Sequence, residues 1–252
     1  MNLIDKCISY LQDENIPVNL DNVQHFINQL KDEANFLNES IAQYIIDYRN
    51  QGFNYSDKLV WCLPGDKKNQ FTSQESFLSE LQIHPDDYKI KNNFCEKRIL
   101  SFIKNISKEE ITKYKFSYNL RLKNKDNVFV PIIHEFIVLN LCEKKSPVFC
   151  FGAFYEILNP KNAEKISFKI SNFNQKEGYL TQKEEHYPGH ILSSKEIDIL
   201  KLAKNGGTSQ EIANAMFNST DTIKTHRKNI LSKLKLNKFQ TAIAYCVECG
   251  LI

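Results

Sequence analysis

A chain of 252 residues, 42% apolar and 25% charged, is long enough for two ordinary cores and has the make-up of a globular protein. No stretch approaches the roughly 18 to 20 apolar residues of a membrane span, which predicts no membrane partner. Seven cysteines, an odd number at irregular spacing, argue against a disulfide frame; with a start, MNLIDKCISY, that lacks a cationic and then apolar leader, they predict a cytoplasmic protein.

The net charge of +3 is informative once divided. From Tyr187 to Ile252 nine Lys+Arg stand against five Asp+Glu, and the rest of the chain holds 24 against 25. Within the positive end, Lys224 to Lys238 carries six cations and no acid. That asymmetry fits an anionic partner or a solvated lysine face, and charge alone leaves both open.

Residues 1–50 read as a helical segment. Asp21 can cap a helix in which Val23, Ile27, Leu30, Ala34, Leu37, Ile41, Tyr44 and Tyr48 follow at alternating steps of four and three. Such a seam suits a coiled coil and hence a homodimer. Phe26, Phe36, Ile45 and Ile46 widen the apolar face, which suits packing on the chain's own domain equally well.

Residues 51–170 read as the next domain. YKFSYNLRLKN, VFVPIIHEFIVLNL and VFCFGAFYEIL are three consecutive strands joined by the short polar connections NKDN and CEKKSP. Tyr118, Leu120 and Leu122 alternate with Asn119, Arg121 and Lys123, the period of a half-buried strand. A helical stretch from about Lys91 to Ile106 precedes them, so the domain is α+β with an antiparallel sheet. The order of IHPDDY, a helix and three strands ending in GAFYEI resembles the back half of a PAS sensor domain over Ile83 to Leu158. Gln51 to Gln82 is only loosely similar, and Tyr155-Glu156-Ile157 replaces the usual exit of the third strand. The resemblance implies a domain that senses a small molecule or mediates protein contact.

Residues 171–190, SNFNQKEGYLTQKEEHYPGH, have few apolar side chains and end on Pro-Gly, which predicts a linker. Residues 191–252 then read as four short helices, about 194–205, 209–216, 220–234 and 238–249. Ser193 with Glu196, Thr208 with Glu211, and Asn237 with Gln240 each fit a cap residue followed three later by Glu or Gln. Ser219 caps the third helix, and the tight turn at Phe217-Asn218 before it predicts a helix-turn-helix. Around that helix Ile223, Ile230 and Leu234 fall on the core side, while Asp221, Thr225, Lys228 and Ser232 point away and Lys224 and Asn229 flank them. Arg227 falls nearer the apolar side, so its stem should pack. Crowding STDTIKTHRKN with cations at a helix N-terminus, which is itself partly positive, makes sense where an anion is expected.

The stretch LSSKEIDILKLAKNGGTSQEIANAMFNSTDTIKTHRKNILSKLKL closely resembles the LuxR-type four-helix DNA-binding module. The resemblance implies double-stranded DNA as the anion. It places Lys224, Thr225 and Lys228 where bases are read, and Thr208, Ser209, Thr222, His226, Arg227, Asn229 and Lys233 where the backbone is gripped. It also implies a dimer contact on the last helix. Gln210 stands where lysine is frequent in the family, a departure that weakens one phosphate contact.

Other constellations carry less. Cys246 and Cys249 form a CxxC without a second pair, which suits packing better than zinc. His84 suits a helix cap and His134 a strand; neither names a cofactor. No catalytic set or metal site emerges. The chain is thus expected to be a homodimeric bacterial transcriptional regulator with a PAS-like domain. Two alternatives stay open: a quorum-signal receptor for an acyl-lactone-like ligand, although only Trp61 could serve as a pocket tryptophan, and a regulator whose N-terminal domain dimerises without a ligand.

Overall fold

The computed structural model describes residue 28 and residues 42–48, 52–55, 81–124, 126–157, 166–174 and 178–252. Strands β1 (Ala42–Asp47) and β2 (Gly52–Tyr55) pair antiparallel. Helix α1 (Pro85–Ile90) leads through a π-helical turn, Lys91–Glu96, into α2 (Lys97–Asn105). A meander follows, β3 (Tyr114–Lys123), β4 (Phe129–Leu141) and β5 (Pro147–Glu156), and then a second hairpin, β6 (Ser167–Asn174) and β7 (Gly178–His186). Among the described residues they form one seven-stranded sheet in the order β2-β1-β5-β4-β3-β6-β7, antiparallel throughout. With the helices before it and an all-helical end after it, the chain has the expected α+β class.

Local chemistry sets these elements. His84 accepts from the Asp86 amide as the N-cap of α1, with Pro85 and two acids in the first turn, all favourable at a helix start. Asp87 then takes Arg121 on both carboxylate oxygens, at 2.6 and 3.0 Å, and the Arg121 amide at 2.7 Å, fixing α1 to β3. Phe94, Cys95, Ile99 and Ile103 pack into the sheet face formed by Phe116, Tyr118, Phe136 and their neighbours. On that face His134 lies opposite Tyr118 on one side and Phe154 on the other, and its Nε2 stands 2.5 Å from the Tyr44 hydroxyl. Burial and then the field of Lys91 pull the His134 pKa down to about 3, so the ring is neutral at physiological pH.

Three sequence expectations change. The helical segment 1–50 ends early, because Ala42–Asp47, with Tyr44 of the proposed seam, is a strand paired with both β2 and β5. Aromatic and β-branched side chains at Tyr44, Ile45 and Ile46 suit a pleated surface, and sheet pairing overrides the helical spacing. Val23 to Ile41 of the seam lies outside the described residues apart from Asn28, which is helical. The half-buried reading of β3 also fails: Lys115, Ser117 and Asn119 are buried as well as their apolar neighbours, so both faces are covered. Lys115 there meets Glu135 at 2.9 Å, each side chain less than a tenth exposed. Last, the linker at 171–190 is mostly sheet. Phe168 and Ile170 of β6 point into the core, and β7 reads as polar because it is an edge strand carrying Lys183, Glu184 and Glu185.

Candidate nucleic-acid interface

After a single 3-10 turn at Pro188–His190 come α3 (Ser194–Lys204), α4 (Ser209–Ala215), α5 (Thr220–Leu234) and α6 (Phe239–Glu248). Two of the three expected capping boxes form. Ser193 and Glu196 satisfy each other's backbone amides, as do Thr208 and Glu211. The Ser219 hydroxyl accepts from the Thr222 amide at 3.1 Å. The third box does not form: α6 begins after Lys238 with no side-chain cap, so Asn237 and Gln240 are not paired as a box. Gly206 takes φ +90° to end α3, and Phe217, with φ 52° and 97% exposure, makes the turn between α4 and α5.

The core of this module gathers Ile199, Leu200, Ile212, Ile223, Ile230 and Ala242, with Leu234 packed at its edge. Burying Ile223 and Ile230 fixes the rotation of α5, and the opposite face is exposed as expected at Asp221, Thr225, Lys228 and Ser232. Lys224 pairs with Asp221 at 3.0 Å on the surface, and Thr225 donates to the Asp221 carbonyl at 3.0 Å. Lys228 and Asn229 are exposed, and His226 is half-buried. Thus the three residues expected at base edges share one accessible face of α5.

The residues expected at the DNA backbone divide. The Thr222 hydroxyl lies 2.8 Å from that of Ser219, inside the cap. The Thr208 hydroxyl donates to Glu211 at 2.8 Å. Arg227 donates to the Ser209 hydroxyl and lays its guanidinium 4.0 Å from the Phe239 ring centroid. Lys233 donates to Glu196 at 2.7 Å. Burial pushes the Glu196 carboxyl up, but the bonds from Lys233 and Ser193 outweigh it and hold the pKa below the usual carboxylate range. The bonds from Arg227 to Ser209 and from Lys233 to Glu196 were not foreseen from sequence, nor was the bond at 2.8 Å from Thr220 to Gln210 that ties α5 to α4.

Residues 190–246 match the model of the bacterial regulatory proteins of the luxR family. The C-terminal module is a LuxR-type DNA-binding domain. The response regulator protein VraR of Staphylococcus saprophyticus is 38% identical over 73 residues, 29% of this chain and 34% of VraR. VraR of Staphylococcus aureus is 40% identical over 62 residues, 25% of this chain and 30% of that protein. The chain therefore spans about a third of the length of these relatives. Among solved structures, Vibrio cholerae VqmA is 11% identical with a TM-score of 0.28 over 88% of each chain. Escherichia coli SdiA is 13% identical with a TM-score of 0.26 over 92% of each.

The dimer contact that the resemblance assigns to the last helix meets a partly occupied surface. Cys246 is buried in the helical core, while Cys249 is buried against the sheet half. Gln240, Ala244, Val247 and Glu248 remain exposed on the other side of α6. Both thiols are thus packing groups, each pushed up in pKa by burial. Among the described residues no cluster of three His, Cys, Asp or Glu side chains could hold a metal ion, and no helix is long and apolar enough to cross a membrane.

Proposed function

We propose that this chain is a sequence-specific transcriptional regulator that binds double-stranded DNA as a homodimer, with a PAS-like sheet domain as its sensing half. The observation that carries the reading is the accessible face of α5. Lys224, Thr225 and Lys228 stand together on a helix whose opposite side is locked by Ile223 and Ile230, in a domain of LuxR type. Lysine and threonine side chains on one helix face suit the donors and acceptors of a major groove. Two copies would read two half-sites about one helical turn apart. The division into domains follows the same logic: DNA-binding residues 191–252, preceded by a sheet domain that takes in 42–186 and not only 51–170. Fluorescence anisotropy on a labelled duplex, run against increasing salt, tests it. Affinity should fall steeply as salt rises, because released counterions drive the binding. Salt-independent or absent binding at low salt overturns the reading.

One observation favours a small-molecule ligand over a ligand-free dimerisation domain. His134 is buried, yet among the described residues its Nδ1 has no hydrogen-bond partner, an arrangement that costs free energy unless something is to be bound. Native mass spectrometry of freshly purified protein tests both points at once. A retained small mass supports the sensing role, and a clean dimer mass leaves the dimerisation reading in its place.

A further inference from the structure

The end of α6 leaves its own module. Cys249 is 1% exposed and belongs to the apolar cluster of Phe94, Phe168 and Tyr187, whereas Cys246, one turn earlier, belongs to the helical core. Polar contacts hold the turn in place. Arg98 of α2 donates through Nε to Glu185 of β7 at 2.6 Å and through Nη2 to the Cys249 thiol at 3.4 Å. The Tyr245 hydroxyl reaches the same Glu185 oxygen at 3.2 Å, and the Lys97 ammonium caps the Glu248 carbonyl at 3.0 Å. The guanidinium of Arg98 lies 4.0 Å from the Phe94 ring centroid and 5.0 Å from that of Tyr245. Gly250, at φ +70°, lies so near Asn93 that a Cβ there would come within 2.9 Å of its amide nitrogen.

Asn93 and Arg98 sit on an element whose other side fills the sheet core with Phe94, Cys95 and Ile99. That element is π-helical over Lys91–Glu96. Such turns are uncommon, occur mostly as single bulges inside α-helices, and are frequent at functional sites. Rewinding the stretch as α would shift everything after it by one residue, about 100° around the axis. Arg98 would then leave Glu185 and the Cys249 thiol. An α winding of the same stretch would be a second state that lacks these contacts to α6, the kind of two-state element that physical coupling between distant sites requires.

We propose that the turn Lys91–Glu96, together with Arg98, is the coupling element through which the inner face of the sheet controls the docking of α6 and hence the position of the DNA-binding module. The consequence for regulation rests on the DNA-binding reading above; the coupling itself is a property of the folded chain.

Amide hydrogen exchange on the full chain, followed by mass spectrometry, tests it without DNA. Arg98→Ala should speed exchange of the last turn of α6, Tyr245 to Cys249, by about tenfold, since charge-assisted bonds are lost, while Ser194 to Leu234 keeps its rates. Phe154→Leu, which disturbs the sheet core beside His134 and far from Arg98, should speed the same amides in the wild-type background. In the Phe154→Leu/Arg98→Ala double variant it should add nothing further. If Arg98→Ala exchanges globally as an unfolded chain, Tyr245→Phe decides, because it removes one hydroxyl and no packing. Unchanged α6 exchange in Tyr245→Phe and in a folded Arg98→Ala overturns the proposal, and so do effects that multiply in the double variant. Failure of the wild type to bind DNA with the exchange pattern intact would sink the regulator reading and leave the coupling standing.

Discussion

Lys233 donates to Glu196 at 2.7 Å across thirty-seven residues, with the carboxylate 3% exposed and the lysine 42% exposed. The same carboxylate oxygen closes the Ser193 capping box at 2.7 Å from the Ser193 amide. One oxygen therefore joins the start of α3 to the end of α5. Lysine is the expendable partner in water but not here, because its removal leaves a buried carboxylate short of a donor.

Lys233→Ala should cost about 1–3 kcal/mol of unfolding free energy at neutral pH. The sign of its pH dependence follows from the depressed Glu196 pKa. A carboxylate held below its unfolded value of about 4.3 contributes stability above that value and loses it as pH falls through the folded one. The gap between wild type and Lys233→Ala should therefore narrow as pH falls below about 4.3, and urea midpoints at neutral and acid pH measure it. A gap that stays constant with pH would mean Lys233 acts through packing alone.

Gly152→Ala tests the sheet half. A Cβ there would overlap the Tyr44 hydroxyl oxygen, the atom that bonds His134. The ring must move, and the bond to a buried imidazole must break. Overpacking of this kind costs about 1–3 kcal/mol, read as a fall in the denaturation midpoint of the sheet half. An unchanged midpoint would show that Tyr44 has room to swing aside.

How much of this was legible in the sequence depends on which contacts are local. The helices of residues 191–252 were read to within one residue, because a cap and its partner lie three positions apart and the apolar spacing has one period. The face of α5 followed from the same period. What failed was long-range. Glu196 was visible as half of a cap, while its bond to Lys233 depends on how α3 crosses α5. Tyr44-Ile45-Ile46 fitted a helical seam by spacing, and only pairing with β5 makes it a strand. β7 looked like a linker because an edge strand carries exposed charges, here Lys183 and Glu184. Asn119 looked exposed because alternation was taken to mean one wet face, and here both faces are covered.

Thr208→Ala and Ser219→Ala should each lower the stability of the DNA-binding module by about 0.5–2 kcal/mol, the cost of a lost helix cap. Their hydroxyls accept from the Glu211 and Thr222 amides at 3.3 and 3.1 Å. Selection of preferred sequences from a random duplex pool should return the same site for both variants and the wild type. A changed site with an unchanged melting temperature would move these hydroxyls from the cap to the DNA.

Lys228 offers the sharpest test of the interface. It is exposed in mid-face on α5, and no ion pair holds it among the described residues, so its removal should leave stability within about ±0.5 kcal/mol. Lys224 differs, since Asp221 at 3.0 Å competes with any DNA acceptor for its ammonium. If Lys228 reads a base edge, Lys228→Ala should weaken the selected site by about 1–3 kcal/mol and leave random duplex nearly untouched. If it meets a phosphate, both affinities should fall together and the slope of log affinity against log salt should shrink by about one. Anisotropy titrations on selected and random duplexes over a range of salt separate the two. Equal binding by wild type and Lys228→Ala on both duplexes would take Lys228 out of the interface.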